Sequence, residues 1–195
     1  MGASHAAVAA ERVRTYLRAK DDNRPHLMAQ VFASDATLEM VVKTDAMVFP
    51  ERARGREAIT DVLVRRFACN YENVYSFCLQ RPSGEEALHR FNCDWLVGMS
   101  SKSSRELRVG WGRYEWQFQA GAPRLVEGLR ITIEAMELLP PHCGEEVFGW
   151  LSRLPYPWCE PGLLAEHAPR IDGLQRVLQQ AIRASSVAAP CTSVS

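Results

Sequence analysis

The chain has 195 residues, 47% of them hydrophobic, with 23 basic and 23 acidic side chains and a formal net charge of zero. That length and apolar content are enough for one domain with a sizeable core plus an extension. A neutral chain carries no long-range field to attract nucleic acid or an anionic surface, and no apolar run approaches membrane-spanning length, so neither partner is expected.

The first ten residues lack a basic stretch followed by a strongly apolar one, so they do not read as a secretory signal, and a soluble cytoplasmic protein is the expectation. The six cysteines, Cys69, Cys78, Cys93, Cys143, Cys159 and Cys191, are irregularly spaced and form no Cys-x-x-Cys pair. They read as reduced thiols, several of them buried like small hydrophobes. His142, Cys143, Cys159 and His167 match no common zinc spacing, and neither a metal nor a cofactor is expected.

In chain order, Ala6 to Lys20 reads as a helix with Val13, Tyr16 and Leu17 on one side. Asp21 to Arg24 breaks it. Pro25 opens a second helix carrying Leu27, Met28, Val31 and Phe32. A strand follows from Ala36 to Val42, with Leu38, Met40 and Val42 on one face. After a loop containing Pro50, residues Gly55 to Phe67 space Ile59, Val62, Leu63 and Phe67 for one buried face of a third helix.

Four strands come next. Asn73 to Leu79 is the first, and Ala87 to Gly98 alternates His89, Phe91, Cys93, Trp95 and Val97 against Arg90, Asn92, Asp94 and Leu96. Arg105 to Phe118 puts Tyr114, Trp116 and Phe118 on one face; Leu125 to Met136 does the same with Leu129, Ile131 and Ile133. Gly121 and Pro123 lie in the turn between these last two strands, which therefore form a long antiparallel hairpin. Helices followed by a run of strands predict an α+β fold, with helices packed on one face of a curved antiparallel sheet.

Beyond Leu139, Pro140-Pro141 marks a boundary between residues 1–139 and a helical extension, 140–195. Gly144 to Leu154 and Arg170 to Ala184 read as amphipathic helices. The three prolines in Pro155 to Pro161 exclude regular helix between them. Ser185 to Ser195 reads as a loose tail. The extension is expected to cap the edge of the sheet, or else to set Tyr156 and Trp158 over the mouth of a pocket.

Val31-Phe-Ala-Ser-Asp-Ala-Thr-Leu-Glu39, preceded by Tyr16-Leu-Arg-Ala-Lys20 and followed by Gly55-Arg-Glu-Ala-Ile59, resembles the opening of the nuclear-transport-factor-2-like superfamily. That superfamily includes SnoaL-like polyketide cyclases, ketosteroid isomerase, scytalone dehydratase and limonene epoxide hydrolase. The resemblance covers roughly residues 6–139 and implies a cone in which sheet and helices enclose a pocket. Such a fold hosts many chemistries, so function rests on the wall residues.

Several family catalysts have no counterpart here. The position of the ketosteroid isomerase base is Met40, and the epoxide hydrolase aspartate corresponds to Ile131. Tyr16 matches the isomerase's oxyanion tyrosine, and Tyr114 falls near its second donor. Alternation turns Asp94, Glu115 and Glu134 to the outer face of the sheet. The proton-handling candidates are therefore Tyr16, His89 and Tyr114. Cys93 has no adjacent base to make it a nucleophile.

The expected pocket wall is Met40, Phe91, Trp95, Trp116, Phe118 and Ile131, suited to a small apolar molecule. Binding without catalysis is one reading; isomerase, cyclase or dehydratase chemistry on an apolar carbonyl compound is the other. The outer face, with Trp111, Arg113, Glu115, Arg130, Thr132 and Glu134, is expected to suit a homodimer contact.

Overall fold

The computed structural model describes residues 4–84 and 89–187. Helix α1 (His5–Asp21) begins where the Ser4 hydroxyl accepts from the Ala7 amide at 3.2 Å, satisfying one of the donors left open at a helix start. A 3-10 turn, Pro25–Gln30, replaces the expected second helix, and strand β1 (Phe32–Val42) begins early. Val31 and Phe32, expected on that helix, are buried as part of the strand approach. β2 (Arg52–Arg54) follows.

The third predicted helix is one continuous rod of α2 (Arg56–Thr60), a π-helical stretch (Asp61–Arg66) and α3 (Phe67–Asn70). Gly55 precedes it at φ +88°, a conformation that a β-carbon would strain, while its amide donates to the Ala36 carbonyl at 2.8 Å.

Four strands come next: β3 (Tyr71–Cys78), β4 (Arg90–Ser101), β5 (Leu107–Phe118) and β6 (Val126–Leu139). The start of the expected Ala87–Gly98 strand lies partly outside the described residues. The polar run after it turns later than its composition suggests, since Ser100 and Ser101 still belong to β4.

One six-stranded sheet runs in the order β2-β1-β6-β5-β4-β3. It is antiparallel throughout except between β1 and β6, which are parallel with Met40 opposite Ile131. The sheet expected to be antiparallel is thus mixed, because β1 joins the edge of a meander whose last strand already points its way.

Each face of this sheet has its own core. The inner face packs Phe32, Leu38, Trp116, Phe118 and Leu129 against Val13, Tyr16 and Leu17 of α1 and Ile59, Leu63 and Phe67 of the helical rod. The outer face packs Phe77, Leu79, Leu96, Leu107 and Val109 against the extension: α4 (Gly144–Leu151), α5 (Pro161–Ala165) and α6 (Asp172–Val187). Trp150, Leu174, Val177 and Leu178 are the extension's main contribution, and burying each such side chain is worth about 1.5–3 kcal/mol.

The extension also closes the sheet edge. Cys78 donates its amide to the Pro157 carbonyl at 2.8 Å and accepts from the Cys159 amide at 3.0 Å, so this proline-rich segment blunts β3 as a short strand mimic. Ser185, Ser186 and Val187, expected in a loose tail, belong instead to α6, and the rest of that stretch lies outside the described residues.

Candidate functional site: a cavity between helix and sheet

A cavity of about 50 Å³ lies between α1, the helical rod and the inner face of the sheet. Alternation along β5 sends Tyr114 to it, and the facing strands supply Trp95, Val97 and Met99 from β4 and Ile131 and Ile133 from β6. A register shift in the β5–β6 pairing pairs Trp111 with Ala135 but Gly112 with Ile133, which leaves Glu134 as an extra residue. This bulge inverts the alternation beyond it and brings Met136 inward instead of Ala135. Met40 enters from β1, and Met47 and Phe49 enter from the loop between β1 and β2. That loop leaves Val48 93% exposed between its two inward-facing neighbours.

The polar part of the cavity comes from α1. Tyr16 and Lys20, one helical turn apart, both line it, together with Ser76 of β3. Lys20 is buried, and its amine donates to Asp21 Oδ1 at 2.5 Å and to Ser76 Oγ at 2.7 Å while sitting 4.9 Å from the Phe67 ring centre. The Asp21 side chain is 3% exposed. Besides Lys20 it accepts from the Ser76 hydroxyl at 2.9 Å, the Ser76 amide at 3.0 Å and the Tyr156 hydroxyl at 3.3 Å. Its acceptor sites are filled by these four donors.

Tyr16 and Tyr114 meet edge to face with ring centres 5.9 Å apart, and Trp116 packs 5.2 Å from Tyr16. Burial pushes the Tyr16 phenol well above its ordinary range; the neighbouring Tyr114 phenol partly offsets this, and the Asp21 charge adds to it. Burial also raises Tyr114, with the neighbouring Tyr16 adding to the effect. Both side chains are therefore neutral hydrogen-bonding phenols near neutral pH rather than phenolates. The Tyr16 hydroxyl and the Trp95 indole nitrogen are buried without a hydrogen-bond partner in the protein. Cys93 is buried, and burial, with Cys78 beside it, raises its thiol well above the usual value, which suits an inert side chain rather than a nucleophile.

A pH dependence follows from the two phenols. Both ionise less readily in the folded state, so their contribution to stability is complete below the ordinary phenol value of 10.0 and is lost as pH rises beyond it. Urea midpoints are expected to fall above about pH 10, and less steeply in Tyr16→Phe than in the parent. Equal slopes would show that Tyr16 does not carry the effect.

Trp95 holds its place by lying over Gly112. A β-carbon at Gly112 would stand 2.5 Å from the Trp95 ring and would collide with the Thr132 carbonyl. Gly112→Ala is expected to cost about 1–3 kcal/mol as overpacking, checked by denaturant unfolding.

Of the residues singled out from sequence, Tyr16, Tyr114, Met40, Trp95 and Ile131 meet in the cavity. Trp116 and Phe118 stack behind it at 6.5 Å between ring centres, and Phe91 is half-buried at the edge of the same core. His89 departs from the expectation. It is exposed in the turn before β4, with its carbonyl accepting from the Phe118 amide at 2.9 Å, and it lines a separate groove on the molecular surface. Its strand starts one residue later, so the alternation that aimed it inward does not reach it.

Asp94 does point outward, but α6 buries it, with Ser185 donating at 3.0 Å and Arg113 3.6 Å away. Trp111 is likewise half-covered, donating to Gln180 of α6 at 3.0 Å. Among the described residues none of the extension lines the cavity, so Tyr156 and Trp158 cap the edge rather than plug a mouth. Sequence reasoning missed Lys20, Ser76 and the Met47–Phe49 loop. Lys20 alone carried a signal, since it lies on the same helical face as Tyr16.

No protein-family model and no curated protein matches the sequence. Solved structures do. A nuclear transport factor 2-like superfamily protein from Salmonella enterica serovar Typhimurium matches with a TM-score of 0.54 at 13% identity, over 68% of this chain and 94% of that one. A protein from Rhodopseudomonas palustris proposed to be an isomerase gives 0.53 at 14% identity, over 69% and 93%. A hexachlorocyclohexane dehydrochlorinase, LinA type 2, gives 0.52 at 13% identity, over 66% and 84%. At such identities the likeness is one of architecture, in agreement with the motif order around Phe32 and Gly55: the chain has the nuclear-transport-factor-2-like fold.

Proposed function

We propose that the cone binds a small, largely apolar molecule and does so without acid–base catalysis. The observation that carries this reading is the lining of the cavity, which includes no aspartate, glutamate or histidine among the described residues. Met40 and Ile131 stand where relatives with catalytic carboxylates would place them, and Asp21, which adjoins the lining residue Lys20, is saturated with hydrogen bonds. Tyr16 and Tyr114 can donate to a ligand oxygen, which leaves polarisation of a carbonyl as the second reading, without His89.

Size limits the ligand. Pockets for drug-sized molecules run to about 300–1,000 Å³, far above this cavity. Four of the chain's six methionines, Met40, Met47, Met99 and Met136, line it, and such unbranched side chains repack at small cost to admit a larger guest. Titration of methyl-labelled methionine with a small apolar probe such as benzene is expected to shift these four methyl signals and leave Met28, buried elsewhere, in place. Shifts spread evenly over all methionines, or none at all, would overturn the reading.

A further inference from the structure

We infer that residues 44–50, in the loop between β1 and β2, form the gate of the cavity, and that Arg108 is its latch. This rests on the binding reading above and adds the route by which a molecule reaches the site. Among the described residues, every wall residue except Met47 and Phe49 belongs to a helix or a strand. Displacing any of those walls breaks helix or ladder hydrogen bonds, whereas displacing the loop does not.

The loop is pinned at its two ends and almost untethered between them. At one end the Lys43 amide donates to the Ile133 carbonyl at 3.0 Å, and the Lys43 amine donates to the two Glu134 oxygens at 3.0 and 2.8 Å. At the other end the Met40 amide donates to the Glu51 carbonyl at 2.8 Å. Between these anchors the Ala46 amide only turns back to the Thr44 hydroxyl, at 3.2 Å. The one hydrogen bond from there to the rest of the fold, among the described residues, runs from Arg108 Nε to the Ala46 carbonyl, and at 3.5 Å it is long. Val48 is 93% exposed and holds nothing in place. The loop is kept shut by the packing of Met47 and Phe49 and by this single contact.

Arg108 is placed to act on the loop from the rigid side. Alternation along β5 sets it on the inner face beyond Gly110, at the rim of the cavity and opposite the wall residue Met99. Its guanidinium lies 5.4 Å from the centre of the Tyr71 ring, which in turn packs 5.0 Å from the ring of Phe67, another wall residue. Its Nη1 is buried without a hydrogen-bond partner in the protein. Lifting the loop gives water access to this end of the side chain, so opening returns solvation that the closed arrangement withholds. A long bond beside an unsatisfied donor makes a weak latch, which suits a gate that must release.

The test measures the entry and exit rates of benzene on the full chain, from the methionine methyl line shapes, in the parent and in two variants that leave the wall residues in place. Arg108→Gln is expected to raise both rates about fivefold, the worth of one weak hydrogen bond, while their ratio, the affinity, stays within about a factor of two. Val48→Gly, which frees the loop backbone at a side chain that touches nothing, is expected to move both rates the same way. If Arg108→Gln changes neither rate while Val48→Gly changes both, the latch is overturned and the gate stands. A fall in affinity in Arg108→Gln with entry unchanged makes Arg108 part of the binding wall and also overturns the latch. If neither variant moves either rate, the gate itself is overturned while the cavity still binds. If benzene does not bind the parent chain, the binding reading fails, and this inference with it. Val48→Gly, at an exposed position, decides on the gate even if Arg108→Gln does not fold.

Discussion

Replacing Asp21 by Asn is expected to destabilise the protein by about 3–5 kcal/mol, read from its urea unfolding midpoint, because it leaves the Lys20 ammonium buried without its counter-charge. The position explains why a small change costs so much. Asp21 is the last residue of α1, where the helix dipole disfavours an acid. What holds it there is a set of four donors: Lys20, the Ser76 amide, the Ser76 hydroxyl and Tyr156. They belong to the first helix, the third strand and the extension, so one carboxylate ties three parts of the chain together.

The companion variant separates this account from simple loss of hydrogen bonds. Lys20→Met removes the charge that Asp21 balances, and the double variant Lys20→Met/Asp21→Asn is expected to recover a substantial part of the loss, since an uncharged pair avoids desolvating two ions. Additive losses in the double variant would mean that the two side chains act independently.

The parts of the fold that were legible in the sequence are those with a strong period. Tyr114, Trp116 and Phe118 alternate cleanly, and the structure sets all three on the inner face. The same alternation placed Asp94 on the outer face but could not show that α6 would cover it, because burial there depends on a segment 91 residues away. Met136 was illegible for a different reason: one extra residue at Glu134 inverts the pleat, and nothing in the composition marks it. Lys20 was hidden by expectation. A lysine ending an amphipathic helix reads as solvated, and only the convergence of Asp21 and Ser76 makes its burial tolerable. The loop that supplies Met47 and Phe49 has no period at all, so its inward turn could not be read.

Ending the chain at Leu139 is expected to abolish soluble, folded protein, although the cone and its cavity would be retained in sequence. The outer face of the sheet is the reason. Phe77, Leu79, Leu96, Leu107 and Val109 stand on it, and removing Val147, Trp150, Leu151, Leu174, Val177 and Leu178 strips away their cover. At about 1.5–3 kcal/mol each, these six extension side chains account for roughly 9–18 kcal/mol of burial. As gross burial that is comparable in size to the whole net stability of an ordinary domain, about 5–15 kcal/mol. The truncation would also open the edge of β3, which Pro157 and Cys159 now pair, and bare an apolar surface of the kind that associates. Size-exclusion chromatography and near-ultraviolet circular dichroism check the outcome; a soluble monomer with native aromatic signals and near-parent stability would show the extension to be an accessory. Trp150→Ala probes the same surface within the full chain, with an expected loss of about 3–5 kcal/mol for a side chain that is 1% exposed. Gly98 records how close this contact is, since a β-carbon there would strike the Leu151 side chain of α4. The extension is therefore the second half of a sandwich whose middle layer is the sheet, and the cavity on the far side depends on it because both cores share the same strands.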